Sequence, residues 1–129
     1  MSRINRLMNI LSASTGLSKV MGDVLRILIL FAGSLWLWEI YLELKGFRAT
    51  LSEESPTLGD VVRAVNRLSK EGFVTTEKRI RASLRGEGFE DLLVSLNLNF
   101  EERTKLLMDD RVRRYQLARQ RAFSEFSNL

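Results

Sequence analysis

The sequence predicts a mainly helical α+β domain with one small β-hairpin, an extra helix at its N-terminal end and a long helix at its C-terminal end. Three observations carry that expectation. Apolar residues recur at helical spacing over the first half of the chain, most clearly at Leu58, Val61, Val62, Val65 and Leu68. Between positions 74 and 98 the period changes to two on either side of Gly86-Glu87-Gly88, as two half-buried strands joined by a turn require. From position 100 to Phe126 there is no glycine or proline among many good helix formers.

Taken in order, Ile4, Leu7, Met8 and Leu11 fall at i, i+3, i+4 and i+7, which puts one apolar stripe on a first helix over residues 2–14. Gly16 interrupts it. A second helix is expected from Ser18 or Lys19 to Ala32, almost wholly apolar in its later half and therefore central to the core. Ser34 is placed to cap a third helix carrying Leu35, Trp36, Trp38, Ile40, Tyr41, Leu42 and Leu44, with a stop at Lys45-Gly46. Aromatic residues at helical spacing are usually core, so Trp36, Trp38 and Tyr41 are expected inside. A loop over residues 48–56 holds the single proline, Pro56, and leads into the fourth helix, which Gly72 ends. Either Ser55 with Pro56 at the first helical position, or Thr57 with Asp60 three residues later, can start that helix. In the hairpin, Val74, Thr76, Ile80, Ala82 and Leu84 share one side, opposite Thr75, Glu77, Arg79, Arg81, Ser83 and Arg85. Leu92, Val94, Leu96 and Leu98 alternate with Asp91, Ser95 and Asn97 in the returning strand. Asn99, with Glu102 three residues on, caps the long last helix.

The missing residue types restrict the chemistry. With 129 residues, 45% of them hydrophobic, the chain can bury one core, but it has no His and no Cys. That removes Ser-His-Asp and Cys-His catalysis, zinc-type metal sites and disulfides, so no enzyme, metal or cofactor is expected. The acidic pairs Glu53-Glu54, Glu101-Glu102 and Asp109-Asp110 read as solvated surface, not as carboxylates converging on a pocket. Arg85-Gly86-Glu87-Gly88 lacks the Lys-Ser/Thr and the strand-to-helix setting of a phosphate loop and reads as a turn. The uncharged run over residues 27–38 is bracketed by Arg26 and Glu39 and is shorter than the roughly 20 apolar residues of a bilayer crossing. Buried helices are expected there, and a small membrane-associated protein anchored through residues 25–44 is the weakest reading. Arg3 and Arg6 are not followed by the apolar centre and cleavage site of a signal peptide, which makes the cytoplasm the expected location. Fifteen Arg against five Lys suits a thermophilic source and suits Arg-rich codon usage equally.

Charge points to a partner. Seven Lys or Arg lie between Arg63 and Arg85 against Glu71 and Glu77 alone, so this stretch carries the basic excess of a chain whose net charge is +4. On the fourth helix, Thr57, Asp60, Arg63, Asn66, Arg67 and Lys70 oppose the apolar stripe, and Arg63, Arg67 and Lys70 project along one side as a basic ridge. An ordinary solvated face would have the same spacing.

Two helices, a loop, an amphipathic helix and a basic two-stranded hairpin is the order of a winged helix-turn-helix domain. The run Ala64-Val65-Asn66-Arg67-Leu68-Ser69-Lys70-Glu71-Gly72-Phe73-Val74 resembles the end of the recognition helix and the entry to the wing in prokaryotic regulators of the PadR and MarR type. Trp38-Glu39-Ile40-Tyr41-Leu42-Glu43-Leu44 is similar to the first helix of the pair in PadR-like proteins. The likeness spans residues 20–99; residues 47–56 depart from it, being longer than the usual turn of about three or four residues. The resemblance implies a transcriptional regulator that binds double-stranded DNA, with Thr57, Arg63, Asn66 and Arg67 meeting base edges in the major groove and Lys70 a phosphate. It also implies that Arg79, Arg81 and Arg85 bind backbone phosphates or enter the minor groove. The competing expectation for these arginines is pairing with Glu77, Glu87 and Glu90 across the hairpin, and the competing function is a winged-helix module that holds another protein.

Met108, Val112, Tyr115, Ala122 and Phe126 follow a 4, 3, 7, 4 spacing that keeps a heptad seam with Arg119 as its interruption. Such a seam either packs on its own domain or meets a second copy, together with Ile4, Leu7, Met8 and Leu11. The expected organisation is an N-terminal helix over residues 1–16, the winged domain over 17–99 and a dimerisation helix over 100–129. A two-fold dimer would set the recognition helices roughly 34 Å apart. Arg111, Arg113, Arg114 and Arg121 would surround the seam. The sequence identifies no effector pocket.

Overall fold

Why α2 is the axis of the molecule follows from its composition: every residue from Val20 to Leu28 is buried, so neighbours cover it on all sides. The computed structural model describes residues 2–82 and 86–127. Its elements are α1 (Arg3–Ser12), α2 (Gly16–Leu30), β1 (Ser34–Trp36), α3 (Leu37–Thr50), α4 (Leu58–Lys70), β2 (Val74–Arg81), β3 (Phe89–Leu96), α5 (Phe100–Leu107) and α6 (Asp110–Ser127). The strands form one antiparallel sheet in the order β1-β3-β2. The molecule is therefore mainly helical with a small sheet, the α+β class the sequence predicts. No helix among the described residues is long and apolar enough to cross a membrane.

One hydrophobic cluster joins Leu7 and Ile10 of α1, the length of α2, Ile40, Leu44 and Phe47 of α3, Val61, Ala64, Val65 and Leu68 of α4, Val94 of β3, Leu106 of α5 and Tyr115 of α6. The sheet meets this core through Leu35, Val74, Val94 and Leu96, which share a face in the register Leu35↔Val94 and Val74↔Leu96, with Leu92 partly buried on the same face. Past Val74 the residues of β2 are exposed until Arg81, and Ile80 is 76% exposed. The half-buried alternation expected along the whole of β2 is corrected accordingly: the hairpin outruns the core that would cover it.

Other expectations change as well. Ser34 does not cap a helix; Ala32 and Gly33 take positive φ values, and the reversal lays residues 34–36 along β3. Leu96 N donates to Gly33 O at 2.8 Å, and the Ser34 and Ser95 hydroxyls lie 2.7 Å apart. α3 therefore begins at Leu37, with Glu39 accepting from Trp36 N at 3.2 Å, and runs through Gly46 to Thr50. Only residues 51–57 separate it from α4. Trp38 is half exposed, not core. The C-terminal helix is two helices, because Asp109 breaks the run: its carboxylate turns to Arg26 at 2.7 and 3.0 Å and accepts from Val112 N as the second helix starts.

The expected intermolecular seam divides in the structure. Leu7, Leu11, Val112 and Tyr115 are buried within the chain itself, Ile4 is partly buried against the same core, and Met8, Met108, Ala122 and Phe126 are exposed. A side chain already enclosed by its own domain has no surface left to offer a second copy.

Ion pairs inside the molecule link distant elements. Asp23, fully buried on α2, accepts from Arg26 Nη1 at 2.8 Å, from Arg48 Nε at 2.6 Å and from Arg111 Nε and Nη2 at 3.1 and 2.9 Å. Arg111 also grips both oxygens of Glu53 at 2.7 Å, and Lys19 approaches Glu53 at 3.2 Å. These contacts, Arg111 first among them, hold the Glu53 carboxyl down to about 2. On the far side of the core, Glu102 is buried against Arg3 at 3.0 and 3.1 Å, which holds its carboxyl below the usual range. The three acidic pairs read as solvated surface thus each give one member, Glu53, Glu102 and Asp109, to an inward pair. Arg111, expected beside a dimer seam, belongs to this interior set.

Candidate nucleic-acid interface

α4 owes its place to its two faces. Val61, Ala64, Val65 and Leu68 have no exposed surface, and the start is fixed by a reciprocal cap: Asp60 N donates to Thr57 Oγ1 at 3.1 Å and Thr57 N donates to Asp60 Oδ2 at 3.0 Å. This decides between the two possible starts in favour of Thr57 and Asp60. Those bonds, the Thr57 amide above all, also hold the Asp60 carboxyl below its ordinary value. The opposite face carries Arg63, Asn66, Arg67 and Lys70, all exposed. The structure brings these four together on one ridge, as the spacing predicts, with Thr57 at its N-terminal end.

Their side chains are not equally free. Arg63 pairs with Asp60, and Arg67 lies 3.4 Å from Glu71. Glu71 is itself held by Arg6 at 2.6 and 3.0 Å, the main cause of its lowered pKa, so Arg67 meets a carboxylate already satisfied. Among the described residues, Asn66 and Lys70 make no side-chain hydrogen bond or ion pair. The Thr57 hydroxyl is occupied by its cap, which leaves it the weakest candidate for a base contact.

On the hairpin, Arg79 and Arg81 share one face with Glu77, Asp91 and Phe89 in the register Glu77↔Leu93, Arg79↔Asp91 and Arg81↔Phe89. Arg79 is exposed and pairs with Glu77 at 2.9 Å, which raises its pKa. Arg81 is held in place: it donates to Asp91 at 2.9 Å and lies over the rings of Trp36 at 4.9 Å and Phe89 at 5.4 Å. Pairing with Glu77 was anticipated for these arginines; Asp91 was not. Arg85, expected to meet a backbone phosphate or the minor groove, lies outside the described residues. Lys78, which the sequence reading left out, is exposed on the other face.

Arg3 is the positioning residue that sequence reasoning missed. It donates to Gly72 O at 3.0 Å and Asn97 O at 2.9 Å and stacks on Phe73 at 4.7 Å, fixing the turn between α4 and β2. No local signal could have found it, because its partners are 69 and 94 residues away. Taken together, the surface offers guanidinium, ammonium and amide donors on one ridge beside a projecting hairpin, groups whose chemistry suits hydrogen bonding to anionic or carbonyl acceptors. No protein family and no curated protein matches the chain.

Proposed function

We propose that this chain is a winged helix-turn-helix protein that binds double-stranded DNA as a homodimer and regulates transcription in the cytoplasm of a prokaryote. The observation that carries the reading is the exposed ridge of Arg63, Asn66, Arg67 and Lys70 on α4. The order α2, β1, α3, α4, β2, β3, with β3 in the middle of the sheet, supports the winged-helix assignment and agrees with the PadR- and MarR-like motifs.

On this reading α4 enters the major groove, where Arg63 and Arg67 suit guanine and Asn66 suits adenine by bidentate hydrogen bonds. Lys70 and Arg79 meet phosphates, while Arg81 stiffens the hairpin through Asp91 and Trp36. The exposed Met108, Ala122 and Phe126, with Phe123 next to Ala122, remain for the dimer contact. No cofactor, metal or catalytic group enters the mechanism.

Fluorescence anisotropy of labelled duplex DNA at several salt concentrations tests the reading. The expected result is affinity that falls linearly in log salt and drops in the Arg63→Ala, Arg67→Ala double variant. Affinity untouched by the double substitution would move the assignment to a winged-helix module that holds another protein.

A further inference from the structure

α4 ends on a residue of the wrong sign for its place. Glu71 is the C-cap of that helix, its amide bonded to Arg67 O at 3.0 Å, where free carbonyls and the negative end of the helix dipole disfavour a carboxylate. It also follows Arg67 by four residues, the spacing at which a carboxylate draws a guanidinium back along its own helix.

What relieves both conflicts comes from the other end of the chain. Arg6 of α1, 65 residues away, takes the Glu71 carboxylate in a fork, Nε to Oε1 at 2.6 Å and Nη2 to Oε2 at 3.0 Å. Arg67 Nε stands farther off, 3.4 Å from the Oε2 that already accepts from Arg6. The Arg6 and Glu71 side chains are 31% and 24% exposed, against 60% for Arg67, so water screens the Arg6 pair less. Leu7 and Ile10 have no exposed surface, which anchors the helix that delivers Arg6 in the core.

Arg63, one turn earlier on the ridge, has no such arrangement. Its partner Asp60 accepts from the Thr57 amide at 3.0 Å, a donor without net charge, and Arg63 is the cation that answers it.

We propose that Arg6 is a positioning residue for the ridge: by occupying Glu71 it keeps the Arg67 guanidinium free for a ligand and makes Arg67, ahead of Arg63, the principal guanidinium contact. That the ligand is duplex DNA rests on the function proposed above; the release of Arg67 does not. Without Arg6, Glu71 carries an unanswered charge, and Arg67, already beside it, turns back to meet it.

The first arm of the test needs no DNA. Solvent exchange of the arginine Nε–H groups is followed by NMR in the full chain. In Arg6→Ala the Arg67 Nε–H is expected to exchange about threefold more slowly than in the wild type, and adding Glu71→Gln is expected to return the wild-type rate. The second arm measures anisotropy of labelled duplex with Arg67→Ala placed in three backgrounds: wild type, Arg6→Ala, and Arg6→Ala with Glu71→Gln. Arg6→Ala alone is expected to weaken duplex binding about threefold to fivefold. Arg67→Ala is expected to weaken it clearly in the first and third backgrounds and little in the second, and to cost more than Arg63→Ala in the wild type. An Arg6 that merely supports the fold would lower the unfolding midpoint and leave the Arg67→Ala penalty equal in all three. Arg6→Gln, which removes the charge and keeps bulk, serves if the alanine variant does not fold. An unmoved Nε–H rate, or equal penalties across the backgrounds, overturns the role of Arg6. A wild-type chain that binds no duplex overturns the DNA reading alone, and the exchange arm still decides whether Arg6 holds Glu71 off Arg67.

Discussion

The arginines of this chain live in two settings, and the contrast between them is instructive. Arg26, Arg48 and Arg111 surround one buried carboxylate, Asp23, and fix where α2, α3 and α6 meet. Arg63, Arg67 and Arg79 stand on the surface with partners one turn or two residues away. The interior group has spent its donors on the fold, apart from one nitrogen of Arg48. The surface group keeps donors that water, or a ligand, can reach. Counting basic residues therefore says little about binding until burial has sorted them.

The sharpest way to break the distinction is to remove Asp23. Asp23→Ala leaves three guanidinium groups without their shared acceptor, and we expect a loss of about 3–5 kcal/mol in urea unfolding. If the loss stayed below about 1 kcal/mol, the cluster would be no different in kind from the surface pairs. Glu102→Gln comes next: it weakens the contact to Arg3 in a buried setting and should cost about 1–3 kcal/mol by the same measurement.

Acid titration addresses the same contrast without mutation. The Glu53 carboxyl is held at about 2 against an ordinary value of 4.5. Because its folded value is the lower one, the stability it contributes is complete above pH 4.5 and disappears as pH falls toward 2. Glu71 and Glu102 are shifted in the same direction, by Arg6 and Arg3. Unfolding free energy measured across this window should fall, and the fall should be shallower in Glu53→Gln. An equally steep fall in that variant would remove Glu53 from the interior set. The smallest effect on stability belongs to Arg63→Ala with Arg67→Ala, about 0.5 kcal/mol or less. For the same variant the slope of log affinity against log salt should shrink by about 2 if both residues touch phosphates, and by less where they read bases.

Much of this arrangement was legible in the sequence where neighbours along the chain determine it. The stripe Val61, Val65 and Leu68, the cap at Asn99 and the exposed ridge all follow from spacings of three and four, while spacing left Thr57 as one of two possible starts for α4. What escaped is set by partners far away. Ser34, Leu35 and Trp36 look like helix residues, and only β3, some sixty positions later, makes them a strand. Nothing next to Asp109 announces a helix break, because its cause is Arg26, 83 residues earlier. The same holds for Arg111 and Asp23, 88 residues apart. The candidate surface was easier to read than the interior because an exposed ridge needs no partner to be recognised. Its hairpin was harder, since burial of β2 depended on how far the core extends.

The Asp23 cluster also has a thermal consequence. Hydration of free carboxylate and guanidinium groups becomes less favourable on heating, so the cost of withdrawing them from water shrinks as temperature rises. A cluster that contributes little in the cold thereby gains weight in the heat. The stability curve of this chain should accordingly be flatter on its hot side than that of an Asp23-free variant repacked with apolar residues.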